Sequence, residues 1–259
     1  MRICFFGTSS AIPSAGNGYT SFVVELAGRV VLVDTGDNAL SRMLDLKIDP
    51  TQFDAIVLTH EHADHLGSFP ALIAALECMN RSKALTIILP PTLTPRVLKL
   101  LALFDYYPER LGFELSFASE WAVSGGTDTS RGGARVELLP GNHSEFTMMT
   151  RFIAEDGALL YTSDIRYRSG QYAAPARGCD AMIHEATYSS LTLPAETRHS
   201  SALEAGRAAK EASVRQLFLC HFHSDAYTNP NEAAEEAARA FGGSITVPRL
   251  MRWYTIQVK

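Results

Sequence analysis

Along the first part of the chain, apolar positions fall in short β-branched or aromatic blocks at 2–6, 21–26 and 29–34, each bounded by Gly, Pro or Asn. Such blocks predict strands, with Gly28 at a tight hairpin turn. Residues 39–46 space their apolar positions for a short helix closed by Asp49-Pro50, and the run 54–58, ending at Thr59, predicts a buried strand. An apolar stretch at 66–79 then reads as a helix, 85–89 as a strand stopped by Pro90-Pro91, and 94–104 as a helix with Pro95 in its first turn. A second series of strands is predicted at 135–139, 148–154, 158–162, 181–184, 216–220, 244–247 and 254–258, with Ala-rich helices at 202–212 and 231–241. The Gly, Ser and Thr stretch at 124–133 reads as a mobile hairpin loop. No short-period repeat is present. Two runs of strands interspersed with helices predict an α/β (α+β) fold: one domain over 1–259, with two sheets face to face and helices outside, an αβ/βα sandwich.

Composition narrows the function classes. Of 259 residues, 46% are apolar and 20% charged, an ordinary globular balance that argues against disorder. The net charge of −5 provides no broad positive field, so a nucleic-acid substrate would have to be gripped locally. The N-terminal apolar run is too short for a signal-peptide core, no run approaches a membrane span, and the cysteines (Cys4, Cys78, Cys179, Cys220) lack CxxC spacing. A cytoplasmic protein with four small buried thiols and no membrane partner is expected.

The histidines change the picture. All eight (His60, His62, His65, His143, His184, His199, His221, His223) fall at or just after a predicted strand end. His60-Glu61-His62-Ala63-Asp64-His65 puts four metal-capable side chains within six residues directly after a buried strand. Solvated loop histidines are the plain alternative. Imidazole and carboxylate together suit zinc, manganese or iron, and so many donors in one segment exceed what one ion takes, so two divalent ions are implied, zinc first.

The run His60-x-His62-x-Asp64-His65 resembles the metal-binding motif of the metallo-β-lactamase superfamily, and further motifs follow in that family's order. Val31-Leu32-Val33-Asp34-Thr35-Gly36 is similar to its early Asp motif, and Pro140-Gly141-Asn142-His143-Ser144, Thr162-Ser163-Asp164 and His221 to its later ones. The resemblance implies a four-layer sandwich with one ion on His60, His62 and His143, another on Asp64, His65 and His221, and Asp164 bridging. Two segments, His184-Glu185-Ala186-Thr187 and His199-Ser200-Ser201, are similar to ribonuclease Z in particular. They imply hydrolysis of a phosphodiester in which Asp64 orients the nucleophile and Glu185 orients His199, which protonates the leaving oxygen. The plainer reading has Glu185 pairing locally and His199 capping the next helix. Asp34 and Asp37 are expected to support the ligands by hydrogen bonds, His184 and His223 to pack nearby, and Tyr188 and Tyr227 carry no assignment.

Two departures bear on the substrate. About twenty residues separate His143 from Asp164, room for a hairpin but not for the arm with which ribonuclease Z grips tRNA. The last motif, His221-Phe222-His223-Ser224-Asp225-Ala226-Tyr227, lacks the family's Arg-Tyr pair. A small phosphodiester or nucleotide-like substrate is therefore expected ahead of tRNA. A lactone or thioester hydrolase, a flavin-partnered di-iron protein and a non-catalytic metal- or RNA-binding module are the alternatives. The oligomeric state, homodimer included, is left open.

Overall fold

The early blocks pair into an antiparallel meander. In the computed structural model, which describes residues 1–123 and 133–258, β1 (Arg2–Ser9) carries the two-residue β2 (Gly18–Tyr19) at its end and pairs with β3 (Ser21–Leu26), which pairs with β4 (Arg29–Val33). Ala27 and Gly28 make the β3–β4 turn with φ of +47° and +67°, the two left-handed residues that a type I′ hairpin demands. From β4 the sheet continues in parallel through β5 (Ala55–Val57), β6 (Leu85–Ile88) and β7 (Leu115–Ala118). The crossovers carry α1 (Ala39–Asp45), then α2 (Ala63–Leu66) and α3 (Phe69–Cys78), then α4 (Thr94–Ala102).

The second sheet repeats this plan. Strands β8 (Glu120–Val123), β9 (Ala134–Pro140), β10 (Met148–Ala154) and β11 (Gly157–Tyr161) are antiparallel. Strands β12 (Ala181–Glu185), β13 (Gln216–Cys220) and β14 (Ser244–Thr246) then continue in parallel, with α5 (Ala202–Glu211) and α6 (Pro230–Ala238) as crossovers. β15 (Trp253–Thr255) returns to the first sheet beside β1. Facing residues of the two sheets, such as Phe5, Phe22, Val31, Val57, Phe152, Tyr161 and Phe218, form the central core. Separate outer cores pack the first sheet against α1, α3 and α4 and the second against α5 and α6. The result is the expected four-layer α/β sandwich of the metallo-β-lactamase type.

Three expectations need correction. The helix expected at 66–79 is two helices, because Ser68 N donates to Thr35 O and Pro70 has no N–H for the Leu66 carbonyl. The first piece starts at Ala63 and so carries Asp64 and His65 itself. Cys78, expected to be buried, is exposed at the end of α3, whereas Cys4, Cys179 and Cys220 are buried. Strand β7 was not foreseen, and the loop expected at 124–133 lies, apart from Gly133, outside the described residues. Among the described residues no helix is long and apolar enough to cross a membrane.

Arg81 ties the β5–β6 crossover together in a way the pattern does not announce. It is 2% exposed. Its guanidinium donates to the carbonyls of Pro50 (3.1 Å), Phe53 (2.7 Å), Lys83 (2.8 Å) and Ala84 (3.0 Å) and lies over the Phe53 ring at 4.8 Å. Burial pulls its pKa down to about 10, still cationic at neutral pH. Arg81→Met removes these donors and leaves buried carbonyls unsatisfied, for which a loss of about 3 kcal/mol is expected. A melting curve should show a fall of about 6–12 °C in a protein of this size.

Candidate metal centre

The site is assembled at the carboxyl ends of strands, where open parallel sheets place their ligands. Asp34 directly follows β4, His60 lies three residues past β5, Asp164 lies three past β11, Glu185 ends β12 and His221 directly follows β13. His62 is the N-cap of α2, Asp64 and His65 lie in its single turn, and His143 comes from the β9–β10 loop. Gly36 lets the β4 loop lie against this turn, since a Cβ there would sit 1.6 Å from the Asp64 carbonyl oxygen. Asp34, Ser163 and His221 have φ of 56°, 58° and 60°. For residues with a Cβ, this left-handed backbone costs roughly 1–2 kcal/mol each. Three such residues at the ends of three site strands mark where the fold accepts strain to aim side chains.

The seven side chains expected to bind metal come together in two overlapping groups. Ligand atoms of His60, His62, His143 and Asp164 lie within 4.8 Å of one another, and so do those of Asp64, His65, Asp164 and His221. His60 Nε2 is 3.1 Å from His62 Nδ1, and Asp164 Oδ2 is 3.8 Å from His60 Nε2, 3.4 Å from His65 Nε2 and 3.1 Å from His221 Nε2. Asp64 Oδ2 is 3.5 Å from His65 Nε2 and 3.4 Å from His221 Nε2. Donors about 2.0–2.1 Å from a tetrahedral ion are about 3.3 Å apart, so the spacing is that of a coordination shell.

The outward nitrogens are spoken for. His65 Nδ1 donates to Asp34 Oδ2 at 2.8 Å, His143 Nδ1 to Arg198 O at 3.2 Å, and His221 Nδ1 to Thr187 Oγ1 at 2.9 Å. His60 Nδ1 meets Thr59 Oγ1 at 3.1 Å, and that hydroxyl donates to Asp34. Each of these rings thereby turns its lone pair inward, as metal-binding histidines do. Burial lowers the pKa of His60 and of His143, keeping both neutral. His65 Nε2, His221 Nε2 and Asp164 Oδ1 are buried without a hydrogen-bond partner. Stranding such atoms costs about 1–3 kcal/mol each, and a cation among them would satisfy all three. The donor set fits a pair of divalent ions.

Beside this cluster, His199 Nδ1 lies 3.1 Å from both carboxylate oxygens of the buried Glu185. Glu185 also accepts from Ile165 N at 2.6 Å and from the Thr187 hydroxyl. Burial works against a charged imidazole, but the Glu185 carboxylate and its hydrogen bond hold the His199 pKa up at about 9. Burial likewise raises the Glu185 pKa, and His199 more than offsets it. His199 does not cap the following helix: Ser201 does, in a capping box with Glu204.

Asp34 supports the site as expected, accepting from Thr59 N at 2.9 Å as well as from His65. Asp37 does not: it is exposed, hydrogen-bonds the neighbouring Asn38 N, and touches none of the histidines, because the chain has already turned outward toward α1. His184 is buried against Tyr172 Oη and the Glu185 carbonyl. His223 stacks on Tyr188 at 5.5 Å, and Tyr227 Oη donates to Tyr188 O at 2.6 Å. Between His143 and Asp164 the chain makes only the rest of its loop and the β10–β11 hairpin. A cavity of about 240 Å³ opens on the cluster, lined by Ser10, Ile12, Asp64, Tyr188, His199 and His223 among others.

Comparison with known proteins agrees with this geometry. A ribonuclease Z from Methanothermobacter thermautotrophicus is 27% identical over an alignment of 308 positions that covers 100% of this chain and 97% of the relative. That alignment is longer than the chain, so the relative carries insertions. Among solved structures, the metallo-β-lactamase-fold protein YhfI from Bacillus subtilis superposes with a TM-score of 0.80 at 19% identity, covering 98% of each chain. The short form of human tRNase Z gives 0.74 at 17%, covering 100% of each. The model of the family described as anti-Pycsar protein Apyc1 matches residues 1–240, nearly the whole fold and every residue of the metal cluster, and the chain belongs to that family.

Proposed function

We propose that this protein is a dinuclear metal-dependent phosphodiesterase that acts on a small phosphodiester or nucleotide-like substrate rather than on tRNA. In this reading one ion is held by His60, His62 and His143 and the other by Asp64, His65 and His221, with Asp164 shared. Zinc suits this nitrogen-rich set, and manganese and iron are the alternatives. When bound, such a pair supplies an acidified water and neutralises charge gathering on a phosphate. The observation that carries the reading is the Glu185–His199 pair: Nδ1 is committed to the carboxylate, so Nε2 is the atom that can hold a proton for a departing oxygen. Asp64, 11% exposed at its side chain on the cavity wall, is placed to orient the attacking water. The pair flanks the metal cluster, as protonation of the group opposite the attacking water requires. Against tRNA stand the short hairpin between His143 and Asp164 and the net charge of −5.

The test is an activity panel on metal-loaded protein, comprising a p-nitrophenyl phosphodiester, a cyclic mononucleotide, a dinucleotide, a lactone, a thioester and a precursor tRNA. Hydrolysis of one or more of the small diesters is expected, lost on chelation and restored by zinc or manganese. Activity on the lactone or thioester alone would overturn the reading, and activity on the precursor tRNA alone would overturn its substrate class.

A further inference from the structure

A ligating imidazole is held in place by what its outer nitrogen touches. For His60, His65 and His221 that partner is a buried side chain, Thr59, Asp34 or Thr187. For His143 it is the backbone carbonyl of the exposed residue Arg198, 3.2 Å away. The tie runs both ways, because Arg198 Nη1 donates to the His143 carbonyl at 2.9 Å. Two residues 55 positions apart thus exchange a pair of hydrogen bonds. The residue after Arg198 is His199, whose ring centroid lies 4.5 Å from that of His143.

What else holds each partner decides what this exchange does. The His143 loop has other anchors: Asn142 Nδ2 donates to Arg166 O and to Gln171 Oε1, both at 3.0 Å, and Ser144 Oγ to Glu61 Oε2 at 2.9 Å. The backbone of His199 is anchored firmly on its C-terminal side. Its carbonyl accepts from Arg166 Nη1 at 3.2 Å, and the buried Ser200 donates to Ile165 O at 2.6 Å and accepts from Tyr167 N at 2.8 Å. On the N-terminal side the chain arrives through 191–196, where all residues but Leu193 are exposed and Leu191 is 93% exposed. Arg198 is where that loop is fastened to the site before the ring of His199. A guanidinium suits the task, since it stays charged and keeps its remaining donors in water while one meets a carbonyl.

We infer that Arg198 is a positioning residue that joins the metal cluster to the proton donor: its carbonyl steadies His143, and its side chain sets where His199 stands beside the cluster. The inference rests on the phosphodiesterase reading for the role of His199. The experiment compares Arg198→Ala and Arg198→Lys in the metal-loaded protein. In Arg198→Ala, kcat on a diester with a ribose leaving group should fall about 100-fold, the scale of a misplacement of about 1 Å, with KM held within about twofold. On a p-nitrophenyl diester, whose leaving group needs no proton, the loss should stay under about fivefold. Arg198→Lys keeps a donor for the His143 carbonyl and should recover most of kcat. Added to His199→Ala, Arg198→Ala should cost nothing further, because both remove one function. Titration against a chelating competitor reads the tie without catalysis: both equivalents of zinc should remain, one of them bound about tenfold more weakly. Equal slowing of both substrates, full additivity with His199→Ala, or unchanged zinc affinity would overturn the inference. If His199→Ala itself shows no dependence on the leaving group, the phosphodiesterase reading fails at its acid, and the chelator titration alone then decides the tie between Arg198 and His143.

Discussion

Asp164→Ala is expected to lower bound metal from two equivalents to one or fewer and to cut kcat/KM on a small diester by at least about 1,000-fold, or about 4 kcal/mol of transition-state stabilisation. The magnitude follows from position. One carboxylate oxygen, Oδ2, lies 3.1 Å from His221, 3.4 Å from His65 and 3.8 Å from His60, and among the described residues Asp164 is the one side chain that belongs to both ligand groups. Asp164 Oδ1 is buried with no hydrogen-bond partner among the described residues, a cost that a bound cation would offset. Stability provides an independent readout. Ions that bind only the folded chain stabilise it by about 2.7 kcal/mol at a hundredfold excess over Kd. Metal should therefore raise the melting temperature of the wild type by several degrees and that of Asp164→Ala by much less, the two converging on chelation. Asp164→Asn keeps the volume and removes the charge, so a similar loss would assign the effect to charge. Two equivalents of metal retained by Asp164→Ala would refute the shared-ligand arrangement.

Much of this architecture was legible because it rests on local pattern. Strands β3, β10 and β13 match their sequence blocks to the residue, since apolar runs bounded by turn formers leave little choice. The seven donors were legible because four fall in six residues and the rest sit in short motifs after strands. Tertiary contacts hid the remainder. The break between α2 and α3 depends on Thr35 accepting from Ser68, a contact no periodicity encodes, although Pro70 was a signal for it. Asp37 looks as suitable as Asp34 in sequence, but the residues between them turn the chain out of the site. Arg81 reads as a surface cation until the carbonyls of Pro50 and Phe53, about thirty residues away, close around it.

The strained backbone of Asp34, Ser163 and His221 belongs to the same class of hidden feature. Asp and His are among the non-glycine types that tolerate a left-handed backbone, but neither type marks such a position in a sequence by itself, and Ser163 is not of that group. The surrounding bonds hold the geometry: Asp34 N donates to Val57 O and Phe222 N to Thr8 O, both at 2.9 Å. A backbone held in this way by neighbouring strands sets the spacing of the donors.

His199→Ala separates chemistry from metal binding most sharply. A group that protonates the leaving oxygen matters only where that oxygen leaves as a poor, basic alkoxide. On a nucleotide diester whose leaving group is a ribose hydroxyl, the loss in kcat is expected to be about 1,000-fold, within the usual span of about 10²–10⁴ for general acids. On a p-nitrophenyl diester, whose leaving group departs unprotonated, the loss should stay under about tenfold. Metal content should remain near two equivalents, because His199 Nδ1 is committed to Glu185 and the seven donors are complete without it. Glu185→Gln should give the same signature in weaker form. It removes the charge that stabilises the imidazolium and leaves too few acceptors for the donors from Ile165, Thr187 and His199. His199 also forms a metal-capable trio with Glu185 and His221, and the two roles predict different data. As a ligand, His199 would on removal cost metal and slow both substrates alike, and that outcome would strip it of the acid's role.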